Sequence, residues 1–83
     1  MGLIDSKRAQ RLYDQVVGNR KNCAYEDLER LLEAVGFQKR APRSGSSHVT
    51  FKRGAATLTV PRRKPLKERY VDEALRLIDE GNP

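Results

Sequence analysis

The chain contains a single histidine, and the residues before it suggest chemistry on a phosphate. His48 follows a glycine and two serines in the segment Gly45-Ser46-Ser47-His48. Histidine accepts and releases protons near neutral pH, and it is the commonest general acid or base in enzymes. Backbone amides and serine hydroxyls are phosphate donors, and a glycine allows a phosphate to approach the backbone closely. The segment therefore predicts a proton-transferring group beside a phosphate-binding loop.

The positive charge of the chain is concentrated around this histidine. The 83 residues include 17 Lys+Arg and 11 Asp+Glu, for a formal net charge of +6. Between Phe37 and Lys67 there is no acidic residue and there are nine basic ones, which we call the basic block: Lys39, Arg40, Arg43, Lys52, Arg53, Arg62, Arg63, Lys64 and Lys67. The rest of the chain has eight basic and eleven acidic residues. Such segregation predicts a surface that binds a polyanion. The alternative is that these cations keep a small sheet soluble and its edges unpaired.

RNA cleavage without a metal is the reaction that fits these residues. A base removes the proton of a ribose 2′-hydroxyl, which attacks the adjacent phosphate while Arg and Lys stabilise the developing charge. DNA lacks this hydroxyl, so the chemistry requires RNA. A metal-dependent nuclease needs clustered carboxylates, and residues 37–67 contain none. The residues alone leave two roles for His48, this base or a surface histidine that binds phosphate.

Composition limits the other possibilities. Eighty-three residues form one small domain, too short for a Rossmann domain or a TIM barrel. A lone cysteine, Cys23, cannot form an internal disulfide, and with one histidine it excludes an all-Cys/His zinc site. We expect it to be a small core or loop residue, and we expect no metal and no cofactor. No apolar run approaches the ~20 residues of a membrane span, so we expect a cytoplasmic protein with no membrane partner.

The elements that must position His48 follow from hydrophobic periodicity. Apolar residues at helical spacing predict helices at about residues 6–17, 25–35 and 67–80, with a polar loop at 18–22. Alternation predicts three short strands, at 37–41, from Ser47 to a tight turn at Arg53-Gly54, and at 57–60. Val49 and Phe51 face one side of the second strand and His48 the other. The expected fold is α+β, a three-stranded antiparallel sheet with helices on one face.

Four short motifs follow one another along the chain: Tyr25-Glu26-Asp27-Leu28-x-x-Leu31-Leu32-x-x-x-Gly36-Phe37, Gly45-Ser46-Ser47-His48-x-x-Phe51, Leu58-Thr59-Val60-Pro61, and Lys64-Pro65-Leu66-Lys67 before an amphipathic helix. Their order and spacing resemble the HicA toxins of type II toxin–antitoxin systems over roughly residues 24–80. The resemblance implies a fold like a double-stranded-RNA-binding domain. It also implies an endoribonuclease that cuts messenger RNA (an mRNA interferase), with His48 as the catalytic residue. A HicB-type antitoxin would mask the histidine and the RNA-binding face.

The chain departs from this family in three places. Residues 1–22 add a helix, so we divide the single domain into an N-terminal helical extension (1–22) and a HicA-like part (23–83). The extension could stabilise the core, cover part of the face or dock a partner. Some members have a second histidine where Ser47 stands, and some have one where Arg62 stands. If those histidines protonate the leaving group, another acid is needed here, and Lys52 and Lys64 are candidates.

Three hypotheses result. The leading one is a toxin endoribonuclease with His48 as general base and an RNA-binding surface formed by the basic block together with Gly45, Ser46 and Ser47. The second is a non-catalytic RNA-binding module on the same fold, which would not need His48. The third is a DNA-binding helix-turn-helix built from the first two helices, and it ranks last because the positive charge lies on the sheet.

Overall fold

A computed structural model describes residues 6–40 and 48–81 of the chain. Within these residues the elements are α1 (Lys7–Gly18), a 3-10 turn (Arg20–Asn22), α2 (Tyr25–Ala34), β1 (Gln38–Arg40), β2 (His48–Arg53), β3 (Ala56–Pro61) and α3 (Glu68–Glu80). The strands form one antiparallel sheet in the order β1-β2-β3. The predicted α+β fold is confirmed. From α2 onward the order is helix, three strands, helix, as in a double-stranded-RNA-binding domain.

The helix ends follow local capping chemistry. Ser6 caps α1, because its Oγ accepts a hydrogen bond from the Ala9 amide at 3.1 Å. Gly18 was expected to lie just past α1, but it is the last residue of the helix, and the expected polar loop contains the 3-10 turn. Gly36 ends α2 with a φ of 99°, and the Phe37 amide donates to the Leu32 carbonyl at 2.9 Å. This glycine aims the chain from α2 into β1.

The helices pack on one face of the sheet. Val49 and Phe51 of β2 and Leu58 and Val60 of β3 are buried, in one core with apolar residues of all three helices. Burying each such side chain stabilises the fold by about 1.5–3 kcal/mol. The opposite side of the sheet, here called the outer face, is polar. Cross-strand pairing places on it Gln38, Arg40, His48, Thr50, Lys52, Thr57 and Thr59.

The N-terminal helix α1 belongs to the core on the helix side of the sheet. Ala9 and Val16 are buried there, whereas Val17, one of the apolar residues whose spacing predicts this helix, is 42% exposed. The Tyr13 hydroxyl donates to Asp79 Oδ1 of α3 at 2.8 Å. This helix therefore adds to a small core and leaves the outer face uncovered. None of the described helices is long and apolar enough to cross a lipid bilayer.

Candidate active site

His48 is the first residue of β2 and lies opposite Pro61, the last residue of β3. Its side chain is exposed, on the outer face of the sheet. Beside it is a cleft of about 160 Å³, here called the His48 cleft, lined by His48, Pro61, Arg63, Lys67, Arg69 and Tyr70. The cleft joins the edge of the sheet to the first turn of α3. It is small enough to surround one phosphate group and too small for a nucleotide.

A buried leucine holds the basic loop that forms one wall of this cleft. Leu66 is 1% exposed, although it lies between charged residues of the 62–67 segment. Its amide donates to the carbonyl of Cys23 at 2.8 Å, which ties the loop to the residue pair preceding α2. The anchor brings Arg63 and Lys67 to the histidine. The basic character of the loop is evident from its residues, but the role of Leu66 as its anchor was not predicted.

The first turn of α3 supplies two residues, Arg69 and Tyr70, that were not among the predicted site residues. Tyr70 is one of the apolar residues whose spacing predicts the helix at 67–80, but it is half-buried and lines the cleft. The guanidinium carbon of Arg69 is 4.9 Å from the centre of the Tyr70 ring, and its Nη2 donates to the Tyr70 hydroxyl at 3.1 Å. The spacing of Lys67 and Tyr70 in the sequence could have predicted that Tyr70 lies beside the basic loop, since residues three apart share a helix face. The N-terminal end of a helix also favours an anion.

The two lysines suggested as acids, Lys52 and Lys64, do not line the His48 cleft. Lys52 is four residues from His48 along β2, which corresponds to about 13 Å. With Arg40 it lines a second groove of about 310 Å³, whose other residues are Gly36, Gln38, Arg53 and Gly54. Lys64 is exposed and does not line the His48 cleft. The structure therefore does not bring either suggested acid, Lys52 or Lys64, into the cleft with His48.

Two other cations of the block bind groups within the protein, on the helix side of the sheet. Lys39 Nζ is 2.9 Å from Glu29 Oε2, which also accepts a hydrogen bond from the Tyr25 hydroxyl at 2.9 Å. The guanidinium carbon of Arg62 is 5.9 Å from the centre of the Tyr25 ring. Burial acts to raise the pKa of Glu29, but the hydrogen bonds from Lys39 and Tyr25 outweigh it and the pKa is lowered. Burial, together with the bond to Glu29, raises the pKa of Tyr25 to about 12.

Arg53 also points to the helix side, because it alternates with Lys52 along β2. Its side chain lies against Gly36 at the end of α2, where a Cβ on the glycine would come within 2.7 Å of Arg53 Nε. Seven described cations of the basic block are therefore divided among the His48 cleft, the second groove and the helix side, and Lys64 is exposed elsewhere. Four predicted site residues, Arg43, Gly45, Ser46 and Ser47, lie outside the described residues.

The remaining candidate groups have no place in the cleft. Cys23 is 1% exposed in the core, as expected, and burial raises the pKa of its thiol to about 11. A thiol with a raised pKa is a poor nucleophile. Among residues 6–40 and 48–81, no three His, Cys, Asp or Glu side chains are grouped so that they could hold a metal ion.

The fold and the cleft define a small basic α+β domain that presents a histidine among cations at the start of its central strand. Residues 25–79 match a family model described as the HicA toxin of bacterial toxin-antitoxin. The chain belongs to this HicA toxin family. The match begins at the first residue of α2 and ends one residue before the end of α3, so it excludes α1. Searches of curated proteins and of solved structures found no match.

Proposed function

We propose that this HicA-family toxin is an endoribonuclease that cleaves messenger RNA without a metal, with His48 as the general base. The observation that carries the proposal is the His48 cleft, where an exposed histidine shares a phosphate-sized space with Arg63, Lys67 and Arg69. A histidine among cations matches what attack by a ribose 2′-hydroxyl requires, a base and a positive environment for the phosphate.

The reaction proceeds in the cleft by an internal displacement. The His48 imidazole takes the proton of the 2′-hydroxyl, and the oxygen attacks the adjacent phosphorus. The bond between phosphorus and the 5′-oxygen breaks, which leaves a 2′,3′-cyclic phosphate and a 5′-hydroxyl. Cations of the cleft stabilise the extra negative charge of the phosphorane. DNA is not a substrate, because it has no 2′-hydroxyl.

The outer face of the sheet gives the RNA a path away from the cleft. Lys52 lies at its far end, and Arg40, opposite Thr50 on β1, lines the same groove; both offer contacts to a neighbouring phosphate. Thr50 and Thr59, whose hydroxyl oxygens are 3.1 Å apart, lie between the two ends. Gly45, Ser46, Ser47 and Arg43, in the sequence segment before His48, remain predicted phosphate ligands. Lys39 and Arg62 are weaker candidates, since Glu29 and Tyr25 already engage them.

The partner proposed for this surface is a HicB-type antitoxin. Neutralisation requires a protein that covers the His48 cleft, and α1 leaves the outer face of the sheet uncovered. Acidic side chains on the partner would complement the cations there. Both messenger RNA and such a partner are met in the cytoplasm, where we expect the toxin to act.

Expression in a bacterial cell tests the catalytic role of His48. The wild type is expected to arrest growth and to fragment messenger RNA, whereas His48→Ala is expected to do neither while retaining its fold. With purified protein, cleavage is expected to persist in the presence of a metal chelator. Equal growth arrest by both proteins, or by neither, would contradict the assignment. Binding of RNA by the purified wild type without cleavage would favour the non-catalytic module.

A further inference from the structure

The proposed reaction needs a second proton transfer, because the departing 5′-oxygen must be protonated. Within the described residues of the His48 cleft, Lys67 and Tyr70 are the side chains besides His48 that carry a transferable proton. Arg63 and Arg69 do not, since a guanidinium stays protonated in proteins. Tyrosine is among the side chains that act as general acids.

The contact between Arg69 and Tyr70 aims the tyrosine proton away from the arginine. A guanidinium has only donors, so in the 3.1 Å bond Arg69 Nη2 donates and the Tyr70 oxygen accepts. The hydroxyl proton of Tyr70 is therefore not used in this bond and can be donated to another acceptor. The guanidinium also lies over the ring, 4.9 Å from its centre, and the side chain is half-buried. These contacts hold the hydroxyl in a defined position in the wall of the cleft.

Lys67 is less well placed for this task. It precedes α3 as its N-cap residue and is exposed, and its side chain makes no capping hydrogen bond. A long exposed side chain must lose its rotamer freedom each time it meets the leaving group. Its charge suits stabilisation of the phosphate instead. Of the two proton carriers, Tyr70 is the one that the fold positions in advance.

We propose that Tyr70 is the general acid of RNA cleavage, an inference that rests on the function proposed above. The His48 imidazole takes the 2′-hydroxyl proton while the new bond from the 2′-oxygen to phosphorus forms. The bond from phosphorus to the 5′-oxygen breaks, and that oxygen takes the proton of the Tyr70 hydroxyl. The imidazolium proton then returns through water to the Tyr70 oxygen, so both side chains regain their starting state. Arg69 is a positioning residue for Tyr70.

A sulfur-substituted substrate separates an acid from other roles. The wild type is first used to map a cleaved bond, and an oligoribonucleotide carrying that bond is made in two versions. One has the natural bridging 5′-oxygen, and the other has sulfur there, which leaves as a thiolate without protonation. Single-turnover cleavage is measured for the wild type, Tyr70→Phe and Lys67→Gln. Tyr13→Phe is the matched control, since it removes a tyrosine hydroxyl bonded to Asp79 on the helix side.

Tyr70→Phe is expected to slow cleavage of the oxygen substrate by about 100-fold or more, the low end of general acid–base effects. On the sulfur substrate, the cleavage rate of Tyr70→Phe is expected to be within a few-fold of the wild-type rate. Tyr13→Phe is expected to cleave both substrates at the wild-type rate. An equal loss on both substrates, or no loss on the oxygen substrate, would overturn the assignment. The assignment would also be overturned if the sulfur substrate restored the cleavage rate of Lys67→Gln and not that of Tyr70→Phe. Failure of the wild type to cleave any RNA would instead overturn the proposed function, and this inference with it.

Discussion

Two lysines on neighbouring strands offer a matched test of which cations contact RNA. Lys52 of β2 lies on the outer face, beside the second groove. Lys39 of β1 pairs with Phe51, so its side chain points to the helix side, where Nζ is 2.9 Å from Glu29 Oε2. Both belong to the basic block and carry the same charge. We therefore expect Lys52→Met to remove a phosphate contact and Lys39→Met to remove none.

The size of the effect follows from counterion release. Each contact to a single-stranded phosphate contributes about 0.7 to the slope of log affinity against log salt. Raising the salt fourfold, from about 50 mM to about 200 mM, therefore weakens binding by about 2.6-fold for each contact. We expect Lys52→Met to reduce the slope by about 0.7, the contribution of one phosphate contact. The slope of Lys39→Met is expected to equal that of the parent protein, although its affinity can fall slightly through lost charge.

Fluorescence anisotropy with a labelled single-stranded RNA measures both slopes. The parent protein carries His48→Ala, so that the RNA stays intact during the titration. A reduced slope for Lys39→Met, or an unchanged one for Lys52→Met, would show that the division of cations between the two faces does not govern RNA binding. A parent slope near zero would show that the basic block does not contact phosphates.

Two further predictions concern the supports of the site. Leu66→Ala is expected to lower the free energy of unfolding by about 3 kcal/mol, because it leaves a cavity under the basic loop; thermal and urea unfolding measure this, and an unchanged stability would contradict the anchoring role. Glu29→Gln is expected to lower the free energy of unfolding by about 1 kcal/mol at neutral pH, since the Glu29 carboxylate accepts hydrogen bonds from Lys39 and Tyr25. Because the pKa of Glu29 is lowered in the folded protein, its carboxylate stabilises the fold at pH values above the ordinary glutamate pKa. This contribution is lost as the pH falls through the lowered pKa. The stability gap between wild type and Glu29→Gln should therefore close in acid, and a gap that widens there would contradict the network.

Local patterns in the sequence determine the elements of this protein. The apolar spacing along α2 and α3 and the alternation of Val49 with Phe51 predict the helices and strands, because each periodicity matches one backbone geometry. Alternation also places His48 on the side of β2 away from the core, and the structure has it there. Gly36 ends α2 as expected, since the chain needs a positive φ at that point.

Tertiary structure alone decides which charged side chains meet. Lys39 and Lys52 are both lysines of predicted strands in the basic block, and the sequence does not distinguish them. Strand register points Lys39 to the helix side and Lys52 to the outer face. The burial of Leu66 and the start of α3 bring Arg69 and Tyr70 beside a histidine about twenty residues earlier in the chain. Such contacts depend on how separate elements pack, and periodicity describes each element by itself. The sequence therefore determined the elements, the basic block and the exposed histidine, whereas packing decided which residues surround that histidine.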